Sequence, residues 1–406
     1  MKLPKIGPAF LVTAAFIGPG TVITASMAGA NYGLSLVWAL LFAMFATLIL
    51  QEMAARLGIV SQQGLGENIR QAFTQPFVKS VVVFLVVSAI VIGNGAYQSG
   101  NVSGASLGLV GVTEQLGWQV SFSNIIFPIV IGIIAFLLLI TGSYKVIERA
   151  LVVLVGLMSV AFVVTFFLSD PQWQQLMTSF VAFELPTGAT LTVIALIGTT
   201  VVPYNLFLHA STASKKWHSA KDISSARQDL FVSIPLGALI SVAILSTAAS
   251  AFFGQQLSLQ SAADLAPALQ PLFGESASIF LGLGLFAAGI SSAITAPLAA
   301  AFALSGILNL EKSLNAFGFK MTWMIILIIG VVVSSAGFKP VAVIWFAQVA
   351  NGVLLPLVSI FLLWIMNTRI LGEYRNNLWQ NIAATAVIFI TLLLSGRSLM
   401  SAFGLL

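Results

Sequence analysis

The chain has 406 residues, of which 59% are hydrophobic and only 7% charged, against roughly 25% charged in a soluble domain, and its mean hydropathy is +1.04. That excludes a soluble globular enzyme and makes the chain a polytopic membrane protein. The formal net charge of +5 is read as a topology signal and not as nucleic-acid binding. The absence of cysteine removes disulfides and thiolate metal ligands.

Apolar runs of about 20 residues, long enough to span a bilayer, occur near 7–30, 34–55, 80–110, 122–142, 150–169, 190–213, 230–253, 276–308, 321–338, 341–367 and 379–403, which makes about eleven helices. The first follows MKLPKIG, two lysines ahead of an apolar run with no small-residue cleavage site, so it is a span and not a signal peptide. Inside it lies FIGPGTVITAS, Phe16 to Ser26, whose Gly18-Pro19-Gly20 should interrupt a helix. The sixth run holds GTTVVPYNLFLHAS, Gly198 to Ser211. There Pro203 removes an amide donor and pushes Val202 toward extended geometry.

Two interruptions five helices apart point to two five-helix repeats of opposite topology, about 7–169 and 190–367, plus a C-terminal helix near 379–403, all in one transmembrane domain. A solute would bind at the midplane between the unwound segments. With the N-terminus inside and the sides alternating, fifteen of the seventeen basic residues fall on the cytoplasmic side, and only Lys339 and Arg397 fall outside. The loops are short, and there is no Ser/His/Asp set, P-loop or HExxH motif. The expected class is therefore a transporter or channel, not an enzyme, with no cofactor. Its expected partners are a small solute or ion and the lipid bilayer, in a cell inner membrane. A homo-oligomer would leave no mark in this sequence.

Five stretches carry a family resemblance. LQEMAARLGIVSQQGLGENIR (50–70) resembles the second-span exit of the Nramp family, the natural-resistance-associated macrophage protein group, and GSYKVIERALV resembles its fifth-span entrance. VVPYNLFLHAS, AAGISSAITAPLAAAF (287–302) and FAQVANGVLLPLVSIFLLW (346–364) are similar to its sixth, eighth and tenth spans. The resemblance implies a LeuT-type fold and proton-coupled divalent-metal transport. The chain departs from the family where the metal would bind. The family's first-span Asp-Pro-Gly-Asn is here Gly18-Pro19-Gly20-Thr21, and its sixth-span Met-Pro-His is Val202-Pro203-Tyr204. Its third-span acidic pair, which resembles a proton route, becomes Gln98 and Asn101, while His209 is retained.

No other acid is expected to substitute. Of twelve acidic residues, eleven map to loops or helix ends, and Glu52 lies near the cytoplasmic end of the second span. A site of carbonyls, hydroxyls and amides suits a monovalent or largely hydrated cation better than a dehydrated transition metal. The half-helices that begin after Gly20 and after Pro203 also direct free amides and positive dipole ends at the break, which favours a small anion or a carboxylate. Candidate binding residues are Gly18, Gly20, Thr21, Thr24, Thr199, Thr200, Val202, Tyr204, Asn205 and Gln348, and Gln98, Asn101 and His209 are candidates for a proton or polar pathway. No residue is assigned to a metal. Each threonine also has a plainer reading, a hydroxyl bonded back to its own helix. For His209 the plainer reading is a packed neutral imidazole bonded to a neighbouring helix.

The leading expectation is alternating access by spans one and six rocking against a scaffold of spans three, four, eight and nine, carrying a small anion or polar organic solute. The alternative is hydrated Mg²⁺ or Mn²⁺ without tight proton coupling. A third reading is a non-transporting sensor or a channel.

Overall fold

The protein is represented by a computed structural model that describes residues 17–118, 120–141, 145–255, 263–311 and 313–402. The first part of the predicted first span, 7–16, lies outside the described residues, as do Lys2, Lys5 and the side chains of 145–149. Among the described residues the regular structure is helical, and ten helical stretches are long and apolar enough to cross a membrane. They match the second to eleventh predicted spans.

The described part of the first span is α1, Pro19–Tyr32, and it leads into α2, Val37–Ser61. A short helix α3, Leu65–Ala72, precedes α4, Pro76–Gln115, with α5, Ser123–Thr141, and α6, Lys145–Leu168, after it. The sixth span is two helices, α7 at Thr190–Thr200 and α8 at Pro203–Lys216. Beyond them run α9, Ile223–Phe252, α10, Ala277–Leu308, α11, Phe317–Ser335, α12, Pro340–Ile365, and α13, Leu378–Ala402.

α4 is longer than the 80–110 expected from hydropathy, because nothing stops the helix before Leu116. Its 40 residues give a rod of about 60 Å at 1.5 Å per residue. It packs along α10, α11 and α12. Small residues set that spacing: a methyl group on Gly108 would run into the backbone of Gly282 on α10. α1 and α8 pack elsewhere, α1 mainly on α9 and α8 mainly on α2. α1 touches α4 where the Pro19 ring fills the space a side chain at Gly104 would need. Phe84, Ile133, Val153, Val332 and Leu393 are exposed, as expected where hydrocarbon and not water is the surrounding solvent.

The ends of α2 and α8 and the start of α9 form the basic end of the bundle. Glu52 accepts from Arg56 at 3.0 Å and from Arg227 at 2.8 Å. Arg56, 3% exposed, also donates to the Tyr374 carbonyl at 2.6 Å and to Asn376 Oδ1 at 2.7 Å. The one acid expected inside a span is thus committed to holding three segments together.

Candidate functional site

The first interruption is a helix start. Gly18 is extended, with φ −118° and ψ −173°, and Pro19 is the first helical residue. The first intrahelical bond runs from the Val22 amide to the Gly18 carbonyl at 3.2 Å, so the Gly20 amide precedes the helical ladder. The second interruption is two residues long. Val201 still donates to the Ile197 carbonyl at 2.8 Å, but its φ of −103° and ψ of 75° leave the helix. Val202 is extended at φ −77° and ψ 123°, as the proline after it requires.

The two breaks meet. Thr21 Oγ1 on α1 lies 2.9 Å from Thr199 Oγ1 on α7, and the pair is buried. Gln348 of α12 closes against them. Its carboxamide occupies the space beside Gly20, and its backbone carbonyl occupies the space beside Gly198. A β-carbon at Gly198 would have to displace the α12 backbone, whereas one at Gly20 would have to turn the Gln348 carboxamide aside. Gln348 Nε2 makes a long bond to the Ile344 carbonyl at 3.3 Å, and its Oε1 has no partner among the described residues. Gly18, Gly20, Thr21, Thr199 and Gln348 are therefore gathered at one point.

The remaining candidates divide. Thr200 bonds back to the Leu196 carbonyl at 3.0 Å, which is the plainer reading for that residue. Thr24 Oγ1 and both side-chain polar atoms of Asn205 are buried without a protein partner among the described residues. Tyr204 packs its ring 5.3 Å from that of Tyr97, with Val202 in the same cluster. Tyr97 hydrogen-bonds Tyr204 and Ser292. Gln98 turns toward α10, donating to the Ala293 carbonyl at 3.0 Å, and packs under Gly330 of α11. Asn101 is buried on the same helix, with its Nδ2 unmatched. His209 Nδ1 is 2.8 Å from Gln51 Oε1 on α2. Gln51, Tyr97 and Asn94 were not singled out by sequence reasoning. The available signal was a neutral polar residue inside an apolar run, as in LILQEM and VIGNGAY.

No charged side chain is among the groups gathered at the break. Among the described residues no three His, Asp or Glu side chains cluster as a metal would need. The site offers hydroxyls, carboxamides and the backbone amides of two helix starts. It can hydrogen-bond a hydrated ion through its oxygens, or an anion through its N–H groups.

A family model described as Natural resistance-associated macrophage protein-like matches residues 9–401. The chain belongs to the Nramp family. Among its Nramp relatives, the divalent metal cation transporter MntH of Erwinia tasmaniensis is 28% identical over 405 residues, covering 96% of this chain and 92% of that one. The crystal structure of the Eremococcus coleocola manganese transporter superposes with a TM-score of 0.78 at 19% identity, covering 97% of this chain and 86% of that one. MhsT in complex with L-phenylalanine superposes with a TM-score of 0.62 at 13% identity, over 97% and 98% of the two chains. The fold is thus the LeuT-type fold that the broken first and sixth spans imply. This Nramp chain is a multi-pass membrane transporter and not an enzyme.

Proposed function

We propose that this transporter works by alternating access and carries a divalent cation, Mg²⁺ or Mn²⁺, with much of its water shell in place and without tight proton coupling. Kinship over nearly the whole chain with proteins named divalent metal cation transporters supports a cation and favours it over the anion that the sequence ranks first. The observation that supports this form of cargo is the Thr21–Thr199 hydroxyl pair: Thr21 stands where the resemblance puts one polar metal ligand, and Gly18 stands where it puts the carboxylate. Mg²⁺ gives up water reluctantly and tolerates sites that contact it through a few oxygens. Hydroxyl and carboxamide oxygens from Thr21, Thr199 and Gln348 could hold such an ion weakly. In this reading α1 and α8 move against the α4–α10 scaffold, and the basic end faces the cytoplasm of a cell inner membrane. The repeats would be about 7–169 and 190–367.

A second reading, a small anion or polar organic solute of bicarbonate or small-carboxylate size, is favoured by one observation. Two helix starts, at Pro19 and Pro203, direct their positive dipole ends to a site with no opposing acid.

Flux into proteoliposomes separates the two, beside isothermal titration of the purified protein with Mg²⁺ and Mn²⁺. Saturable uptake of either ion, weakened by Thr21→Val, is expected. Flux of bicarbonate or a small carboxylate with no uptake of either ion would overturn the cation reading. In the converse experiment, Gly18→Asp with Thr21→Asn should add Mn²⁺ binding much tighter than the native chain shows.

A further inference from the structure

Beside the start of α8, residues of α4, α8 and α12 line a small pocket of about 10 Å³, among them Asn94, Tyr204, Phe207 and Asn351. That volume is about what one water molecule needs. The two asparagines in its wall are each 1% exposed. Asn94 donates Nδ2 to the Ile90 carbonyl of its own helix at 3.1 Å but leaves Oδ1 unmatched. Asn351 has neither Nδ2 nor Oδ1 matched by a described residue.

The unmatched set contains both donors and acceptors, and this selects the occupant. A bare cation would serve only the two oxygens, and an anion only the Asn351 amide hydrogens. A molecule that both gives and accepts hydrogen bonds, and fits this volume, is water. We propose that the cavity binds a single water molecule that ties Asn94 of α4 to Asn351 of α12 against the face of α8 carrying Tyr204 and Phe207. The water makes the docking of the second half-helix reversible: α8 leaves its neighbours by exchanging this water with solvent rather than by exposing dry carboxamides. The inference goes beyond the choice of cargo and holds for either one, since none of these side chains belongs to the Thr21–Thr199 pair.

Hydroxyl-radical labelling by synchrotron radiolysis, read by mass spectrometry on the purified native protein, tests it directly. Bound water activated in place labels the side chains it touches. Phe207 is as buried as Phe162 of α6, each 1% exposed, and Phe162 does not line this cavity. Labelling of Phe207 or Tyr204 at least several-fold faster than Phe162 is expected. Equal rates would overturn the proposal. In Asn94→Leu with Asn351→Leu, labelling of Phe207 should fall to the Phe162 rate, and persistence of the fast rate would also overturn it. The native comparison decides the matter even if the double variant does not fold.

Discussion

At the basic end Glu52 is bonded by Arg56 and Arg227 while Arg56 reaches two further acceptors, whereas at the break hydroxyls and carboxamides meet with several atoms left unmatched. The first region spends its charges on fixing α2, α9 and the segment after α12 in one arrangement. The second pairs its hydroxyls with one another or with their own helix and leaves Thr24 Oγ1, Gln348 Oε1 and the Asn205 carboxamide without a partner among the described residues. Buried polar groups with partners specify a structure, and those without partners are costly unless a ligand or water meets them. The contrast therefore separates what holds the bundle together from what is proposed to meet the cargo.

The contrast can be broken most severely at Glu52. Glu52→Leu leaves the buried Arg56 guanidinium without its counter-charge, and losing one partner of a buried pair is worth about 3 kcal/mol or more. A clear drop in melting temperature in detergent is expected, and an unchanged melting curve would mean the triad is not structural. Gly198→Ala comes next. A methyl group there must displace the Gln348 backbone, and overpacking of this kind costs about 1–3 kcal/mol. Uptake should fall sharply while the protein still reaches the membrane; normal uptake would show that α12 can give way.

Thr21→Val and Thr199→Val test the site itself. Either removes one hydroxyl and breaks the bond between the two, an effect of about 1–2 kcal/mol, so the half-saturation concentration should rise by about 5–30-fold. The double variant should be little worse than either single one, and additive losses would show that the hydroxyls act separately. Arg227→Lys should be smaller. Arg227 is the exposed member of the triad, at 44%, and exposed ion pairs are worth up to about 1 kcal/mol. Smallest of all should be Thr200→Val, whose hydroxyl serves only its own helix; a large transport defect there would put Thr200 at the cargo after all.

The two breaks were legible because proline and glycine act on their own backbone. Pro203 sets the geometry of Val202 regardless of its surroundings, and Gly18-Pro19-Gly20 starts a helix wherever it stands. Hydropathy located the spans because lipid imposes a minimum apolar length, but it understated α4, whose ends lie past its most apolar stretch. The pairings were not legible. Gln51 and His209 are 158 residues apart, and nothing local marks them as neighbours. The same is true of Asn94 and Asn351, which no spacing rule connects. Among the candidate residues, the sequence could not separate Thr199 from Thr200. One helical step turns the first toward α1 and leaves the second bonded to its own helix. The cargo was ranked from missing metal ligands and the dipoles of two half-helices, and kinship over the whole chain with divalent metal cation transporters favours the other order.

The length of α4 has a further consequence. A rod of about 60 Å against a hydrocarbon layer of about 30 Å must lean, protrude or thicken the lipid around it, at a modest cost for each ångström of mismatch. Because α10, α11 and α12 pack along this helix, its lean sets the slope of the surface against which α1 and α8 would move in the proposed cycle. Lengthening or shortening the acyl chains of the host vesicle should therefore change the speed of the cycle while leaving the grip on cargo unchanged.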